Sequence, residues 1–137
     1  MEKYIHKIQY YETDKMGITH HSNYIRWMEE ARIDFFEKKG ISYSKLEEIG
    51  IISPVVEVNC KYKAVTKFGD EIEILTKIKE FKGVKLIFEY EMRNSKTGEI
   101  NTIAESKHCF VNNDGKPIIL KREFPDLDEK LKNMIED

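Results

Sequence analysis

Three successive stretches of strict two-residue alternation dominate the middle of the chain. Val56, Val58, Cys60, Tyr62 and Ala64 fall on one face of a run whose other face is Glu57, Asn59, Lys61 and Lys63. After Phe68-Gly69-Asp70 the period returns in Ile72, Ile74, Thr76 and Ile78, and after Lys82-Gly83 in Val84, Leu86, Phe88, Tyr90 and Met92. Side chains of a strand point alternately to its two faces, so this pattern buries one face and leaves the other in water. Long antiparallel strands follow from it. A turn at Asn94-Ser95-Lys96-Thr97-Gly98 leads into a further strand, Glu99 to Val111, which Asn112-Asn113-Asp114-Gly115 ends.

Ahead of the sheet the period changes. Tyr24, Trp27, Met28, Ala31 and Phe35 recur at helical spacing, with Ser22 placed as N-cap, Glu29 and Glu30 in the early turns, and Lys38-Lys39-Gly40 at the end. Tyr4 to Tyr11 reads as a strand, Glu12 to His21 as a loop, and Ser42 to Ile49 as a short helix closed by Gly50. Pro125 to Ile135 reads as a terminal helix of weak periodicity. One apolar helix with four or more long antiparallel strands is an α+β arrangement in which the sheet must cover the helix. Curling the sheet around Trp27, Met28 and Phe35 would do so.

At 137 residues the chain fits one domain, 1–137, able to bury a core without disulfides or metals. Cys60 and Cys109 lie far apart in apolar runs, which reads as buried free thiols and a reducing cytoplasm. Basic residues number 23 against 25 acidic ones with no basic block, so nucleic acid is not the expected partner. The charged first residues contain no apolar core of a signal peptide, and roughly 18 consecutive apolar residues, enough for a membrane span, occur nowhere.

The chemistry concentrates between Tyr10 and Arg32, YYETDKMGITHHSNYIRWMEEAR. A lone carboxylate, Asp14, precedes a helix start whose free N–H groups can hold developing negative charge. A base facing such an oxyanion site suggests acyl-group hydrolysis. Glu12, Thr13, Asp14, Gly17, Ile18, His21, Asn23, Tyr24, Glu29, Ala31 and Arg32, with a second patch at Tyr62 and Gly69-Asp70, resemble the 4-hydroxybenzoyl-CoA thioesterase family in its YbgC-like branch. The resemblance spans nearly the whole chain. It implies a hotdog fold, a curved antiparallel sheet wrapped around one central helix, and subunits that pair as a homodimer or homotetramer with the site between them. It implies an acyl-CoA substrate, Asp14 as base or nucleophile, His21 as an orienting or polarising side chain, and the His21 backbone N–H as oxyanion donor. Neither cofactor nor metal is expected.

Other readings stand beside these. Asp14 beside a glycine is also a natural Asx-turn residue, and Gly17 a turn glycine with positive φ that would let the substrate carbonyl pass close to the backbone. Asn23 caps the helix or holds the Asp14 loop, and Glu29 and Arg32, three apart, form an ordinary helix-surface ion pair or buttress the loop. Tyr10 donates a hydrogen bond or packs in the core; Tyr24, Met28 and Val58 line an acyl pocket. His20 faces solvent or an interface, and His6 and His108 are structural. Lys61, Lys63, Lys67, Lys82 and Lys85 meet the phosphates of coenzyme A or form a solvated face. Thr19 and Lys15-Met16 depart from the family pattern, and Met16 would reshape the acyl entrance. The competing function is a non-catalytic hotdog protein that binds acyl thioesters or a partner.

Overall fold

The alternation becomes one-sided burial in β3 (Glu71–Lys82) and β4 (Lys85–Asn94), where Ile72, Ile74, Ile78, Phe88, Tyr90 and Met92 are sealed while Glu73, Lys77, Glu89 and Glu91 keep access to water. The computed structural model describes residues 1–135. In chain order it comprises β1 (Glu2–Lys7), a 3-10 turn at Tyr10–Glu12, α1 (Ser22–Lys38), α2 (Tyr43–Glu48), β2 (Val55–Tyr62), β3, β4, β5 (Ile100–His108), α3 (Leu120–Glu123) and α4 (Pro125–Lys132). The strands form one antiparallel sheet in the order β1-β3-β4-β5-β2. Hairpins join β3 to β4 and β4 to β5.

The expectation of a curved sheet wrapped around one central helix is corrected here. The antiparallel sheet is present but open, with β1 and β2 at its two edges, and α1 lies across one face. From that helix Phe35 meets Phe88 edge-on at 5.6 Å between ring centroids, and Met28 Sδ lies 3.6 Å from Cys60 Sγ. Burying side chains of this size contributes about 1.5–3 kcal/mol each. The remaining apolar face is roofed by the C-terminal segment instead of by the sheet's own curl: Phe110 packs on Phe81, Ile135 bridges to Ile78, and Ile118, Leu120 and Leu131 are buried. The opposite face is laced with ion pairs, among them Lys79 with Glu105 at 2.7 Å and Lys107 with Glu57 at 2.9 Å, and so stays open to solvent.

Several boundaries shift for local reasons. The first strand ends at Lys7, and Tyr10–Glu12 turns instead of extending, because the Glu12 carboxylate accepts the Gln9 N–H at 2.8 Å. Tyr10 and Tyr11 are therefore 76% exposed, not packed in the core. His21, not Ser22, is the N-cap of α1. The predicted terminal helix is α4, which starts at Pro125 as expected, where the missing N–H costs nothing, but ends at Lys132, and the short α3 precedes it.

Arg32 makes no pair with Glu29. It is buried, and its Nη1 donates to the Tyr90 hydroxyl at 3.1 Å. A buried chain continues from Tyr90 to Ser106 Oγ at 2.7 Å and from Ser106 to His108 Nε2 at 2.7 Å. Burial, then the Arg32 charge, pushes the His108 imidazole down to about 3, so it ends this chain of hydrogen bonds as a neutral ring.

Candidate active site at the start of the long helix

Residues 13–19 form a small hairpin between the 3-10 turn and α1. Thr13 bridges to Thr19, the Asp14 N–H donates to Ile18 O at 2.8 Å, and the Gly17 N–H closes the turn on Asp14 O at 3.0 Å. Gly17 has φ 78° with open space where a Cβ would stand, so the requirement is conformational and not one of room. At the tip Asp14 Oδ1 accepts the Met16 N–H at 2.8 Å. The Asx-turn reading of Asp14 thus holds geometrically, and the carboxylate is exposed with its second oxygen unbonded among the described residues. Met16 projects outward and is 82% exposed.

The returning limb carries His20 and His21 into α1. Their exposed rings stack at 4.3 Å. His20 Nδ1 accepts the Ser22 N–H at 3.2 Å and lies 2.8 Å from Ser22 Oγ, so its side chain performs the cap function that the sequence suggests for Ser22. The N–H groups at this corner can be followed one by one. His20 donates to Glu12 O, Asn23 to His20 O and Tyr24 to His21 O, whereas the His21 N–H has no acceptor among the described residues. An unpaired N–H at the start of a 17-residue helix is free to donate to an anion.

Two clamps hold the hairpin. On one side the buried Asn23 amide donates to Glu12 O at 2.9 Å and to His20 O at 3.1 Å, which makes it a holder of the loop. On the other side the Thr19 N–H donates to Thr66 O at 2.8 Å, Thr66 Oγ1 donates to Thr19 Oγ1, and the Tyr24 hydroxyl joins them at 2.9 Å. Tyr24 is therefore buried with its hydroxyl already engaged. Tyr62 packs edge-on against Tyr24, and burial pushes its phenol up to about 12; it remains a donor, 3.4 Å from His21 O.

The remaining residues of interest scatter. Tyr10 touches Phe68 on the surface, at 5.7 Å between rings. Glu29 is exposed, roughly 12 Å along the axis of α1 from His21. Lys61 and Lys63 lie exposed near Tyr62, but Lys82 and Lys85 flank the β3–β4 turn, a whole strand length from the hairpin. Two cavities, of about 610 Å³ on the charged sheet face and about 370 Å³ between α2 and α4, include neither Asp14 nor His21. Both cysteines are free, and among the described residues no cluster of three His, Cys, Asp or Glu side chains could hold a metal, nor is any helix long and apolar enough to cross a membrane.

The sequence reading did not single out Glu12, His6 and Trp27 as a unit. The buried Glu12 carboxylate accepts from His6 Nε2 at 2.8 Å and Trp27 Nε1 at 2.7 Å in addition to the Gln9 N–H. Burial raises its pKa, but the Gln9, His6 and Trp27 bonds outweigh it, leaving the carboxyl below its ordinary value. The available signal was an acid two positions before Asp14 with a tryptophan on the apolar stripe, since a buried indole N–H needs an acceptor.

An exposed hairpin carboxylate and a free helix-start N–H beside an open antiparallel sheet are groups that acyl-group hydrolysis can use. Residues 8–135 match the family model of the thioesterase-like superfamily. The chain belongs to that superfamily, in its YbgC-related group of hotdog-fold thioesterases. It is 37% identical over 121 residues to YneP of Bacillus subtilis, a candidate acyl-CoA thioesterase, spanning 88% of this chain and 87% of that protein. It is 35% identical over 120 residues to a candidate esterase of Aquifex aeolicus, spanning 88% and 91% of the two chains. The crystal structure of DHNA-CoA thioesterase from Staphylococcus aureus superimposes with a TM-score of 0.91 at 35% identity, over 96% of this chain and 88% of that one.

Proposed function

We propose that the protein hydrolyses acyl-CoA thioesters at the Asp14 hairpin. The observation that carries this reading is the unpaired His21 N–H at the start of α1, two residues beyond the hairpin that carries an exposed carboxylate. A thioester carbonyl is already electrophilic, so its hydrolysis needs chiefly a group that delivers the attacking oxygen and a donor for the oxyanion. Asp14 supplies the first, as base on water or as nucleophile on the carbonyl carbon. Both routes place the same negative charge on the carbonyl oxygen, where the His21 N–H receives it. The tetrahedral carbon then expels the thiolate, which takes up a proton to give coenzyme A; on the base route this releases the free acid directly, and on the nucleophile route it leaves an acyl–Asp14 anhydride that water hydrolyses to the acid and the restored carboxylate. The His21 ring, stacked on His20, sits at the mouth of this corner. Coenzyme A as the thiol carrier is supported by the names of YneP and of the Staphylococcus aureus enzyme.

We also infer a homodimer paired through β2. That strand is an edge, Val55, Val56 and Tyr62 are 46%, 60% and 48% exposed along it, and its Tyr62 end lies beside His21. Free-thiol release from short, long and aromatic acyl-CoAs tests the activity. Turnover of at least one member, unchanged by chelator, is expected; no turnover of any member would contradict the reading.

A further inference from the structure

We propose that Glu12 is a positioning residue for this reaction: its buried carboxylate, held by His6 and Trp27, fixes the register in which the hairpin presents Asp14 to the His21 N–H. The inference rests on the reading of Asp14 and His21 given above and goes beyond it by assigning a role to three residues that touch no substrate.

The geometry is that of a bolt with two ends. The side chain ties three separate pieces of chain together: β1 through His6, the 3-10 turn through the Gln9 N–H, and α1 through Trp27. The main chain of the same residue holds the returning limb, because Glu12 O accepts the His20 N–H at 2.9 Å and the Asn23 amide at 2.9 Å. Asp14 follows two residues after this bolt, and His21 follows directly after His20. The approach of the carboxylate to the donor is thus set by where Glu12 sits.

A carboxylate is a costly way to fill this space. Glu12 is 2% exposed, and burying a charge is unfavourable unless it is paired and fully hydrogen-bonded, whereas an apolar side chain would pack there without that cost. What a carboxylate gives is two acceptor oxygens in fixed directions. Oε1 takes the Gln9 N–H and His6 Nε2, and Oε2 takes the Trp27 indole. The His6 ring also lies against the Trp27 ring, at 4.7 Å and 38°, so the imidazole is braced on one side and bonded on the other. Its Nδ1 faces Glu30 Oε2 at 3.7 Å. Glutamine at position 12 would keep the volume but offer one acceptor. In either orientation of its amide, the Gln9 N–H or the Trp27 N–H would then face another donor.

The test compares Glu12→Gln, Trp27→Phe, His6→Gln and His6→Leu with the native protein and Asp14→Asn. Glu12→Gln is expected to lower kcat by about a hundredfold, the scale of an ångström-level misplacement, with KM within about threefold of native. Trp27→Phe, which keeps the ring and removes the donor, is expected to move kcat the same way, so the proposal does not depend on one variant folding. His6→Gln, whose amide nitrogen reaches about as far as Nε2, is expected to retain kcat that His6→Leu loses. A role in stability alone would not produce this rescue. Hydrogen exchange supplies a readout independent of turnover: in Glu12→Gln the Asp14 and His20 amides should lose protection while those of β3 and β4 keep it. Native kcat in folded Glu12→Gln, or unchanged protection of residues 13–21, would overturn the positioning role. If Asp14→Asn retains native turnover, the reading of the site fails, and exchange in Glu12→Gln still decides whether the bolt holds the hairpin.

Discussion

The side-chain amide of Asn23, one residue into α1, donates at 2.9 Å to the main-chain carbonyl of Glu12, eleven positions upstream. The contact is buried, and it fastens the outgoing limb of the Asp14 hairpin to the helix whose start supplies the free N–H. Asn23→Ala removes this bond and the one to His20 O, leaving Glu12 O with the His20 N–H. Loss of such buried bonds costs about 1–3 kcal/mol. Urea unfolding should show a decrease of that size with an unchanged m-value, accompanied by a fall in turnover; unaltered stability would mean the clamp is not needed to hold the hairpin.

Gly17 closes the tip in the left-handed region, and its surroundings are empty, so any substitution is judged on backbone conformation alone. Gly17→Ala should cost about 1–2 kcal/mol, and Gly17→Asn less, because a short polar side chain tolerates positive φ. The ranking glycine above asparagine above alanine in denaturant midpoint checks this. Equal midpoints would show that the turn rebuilds with another φ.

His108 gives the stability a pH dependence of definite sign. The folded imidazole has its pKa lowered to about 3, against an ordinary value of 6.5. Above 6.5 both folded and unfolded chains are neutral there; as pH falls toward the folded value the unfolded chain alone takes up the proton. Stability should fall by about 1.4 kcal/mol per pH unit from this one group across that window. His108→Gln should flatten this part of the profile. A parallel profile in the variant would remove His108 as the cause.

Pairing through β2 is checked at Val56, whose side chain stands exposed on the edge strand. Val56→Lys should convert the dimer to monomer in sedimentation velocity while the far-ultraviolet spectrum stays native, and turnover should fall with the dimer fraction. A lysine variant that sediments like the native protein would place the interface elsewhere.

What the sequence made legible follows the physics of nearest neighbours. β3 and β4 announce themselves because each alternate residue meets the same core, and α1 because Trp27, Met28 and Phe35 share one stripe. The hairpin from Thr13 to Thr19 was visible as a loop around Gly17. The contacts that decide the rest join residues distant in sequence. Tyr10–Glu12 turns because a carboxylate reaches back to Gln9 and across to Trp27, and Arg32 abandons Glu29 because Tyr90, 58 positions on, lies inside. The wrapped sheet was an inference from covering one helix with one sheet. It failed because the segment from Phe110 to Ile135 covers the other half of the apolar face. Around the candidate site, the short stretch of chain joining Asp14 to His21 was legible in the sequence, while the Thr19–Thr66–Tyr24 clamp was not.

The most direct test of the account is Asp14→Asn, which preserves shape and the Oδ1 acceptor for the Met16 N–H while removing the charge. Thiol release by native and variant protein would be measured on the best acyl-CoA of the panel, with affinity for a non-hydrolysable thioether analogue of that substrate measured by calorimetry. The account predicts that kcat falls by at least about a thousandfold, with analogue Kd and melting temperature close to native. Native turnover in the folded variant would contradict it and move the chemistry away from the hairpin.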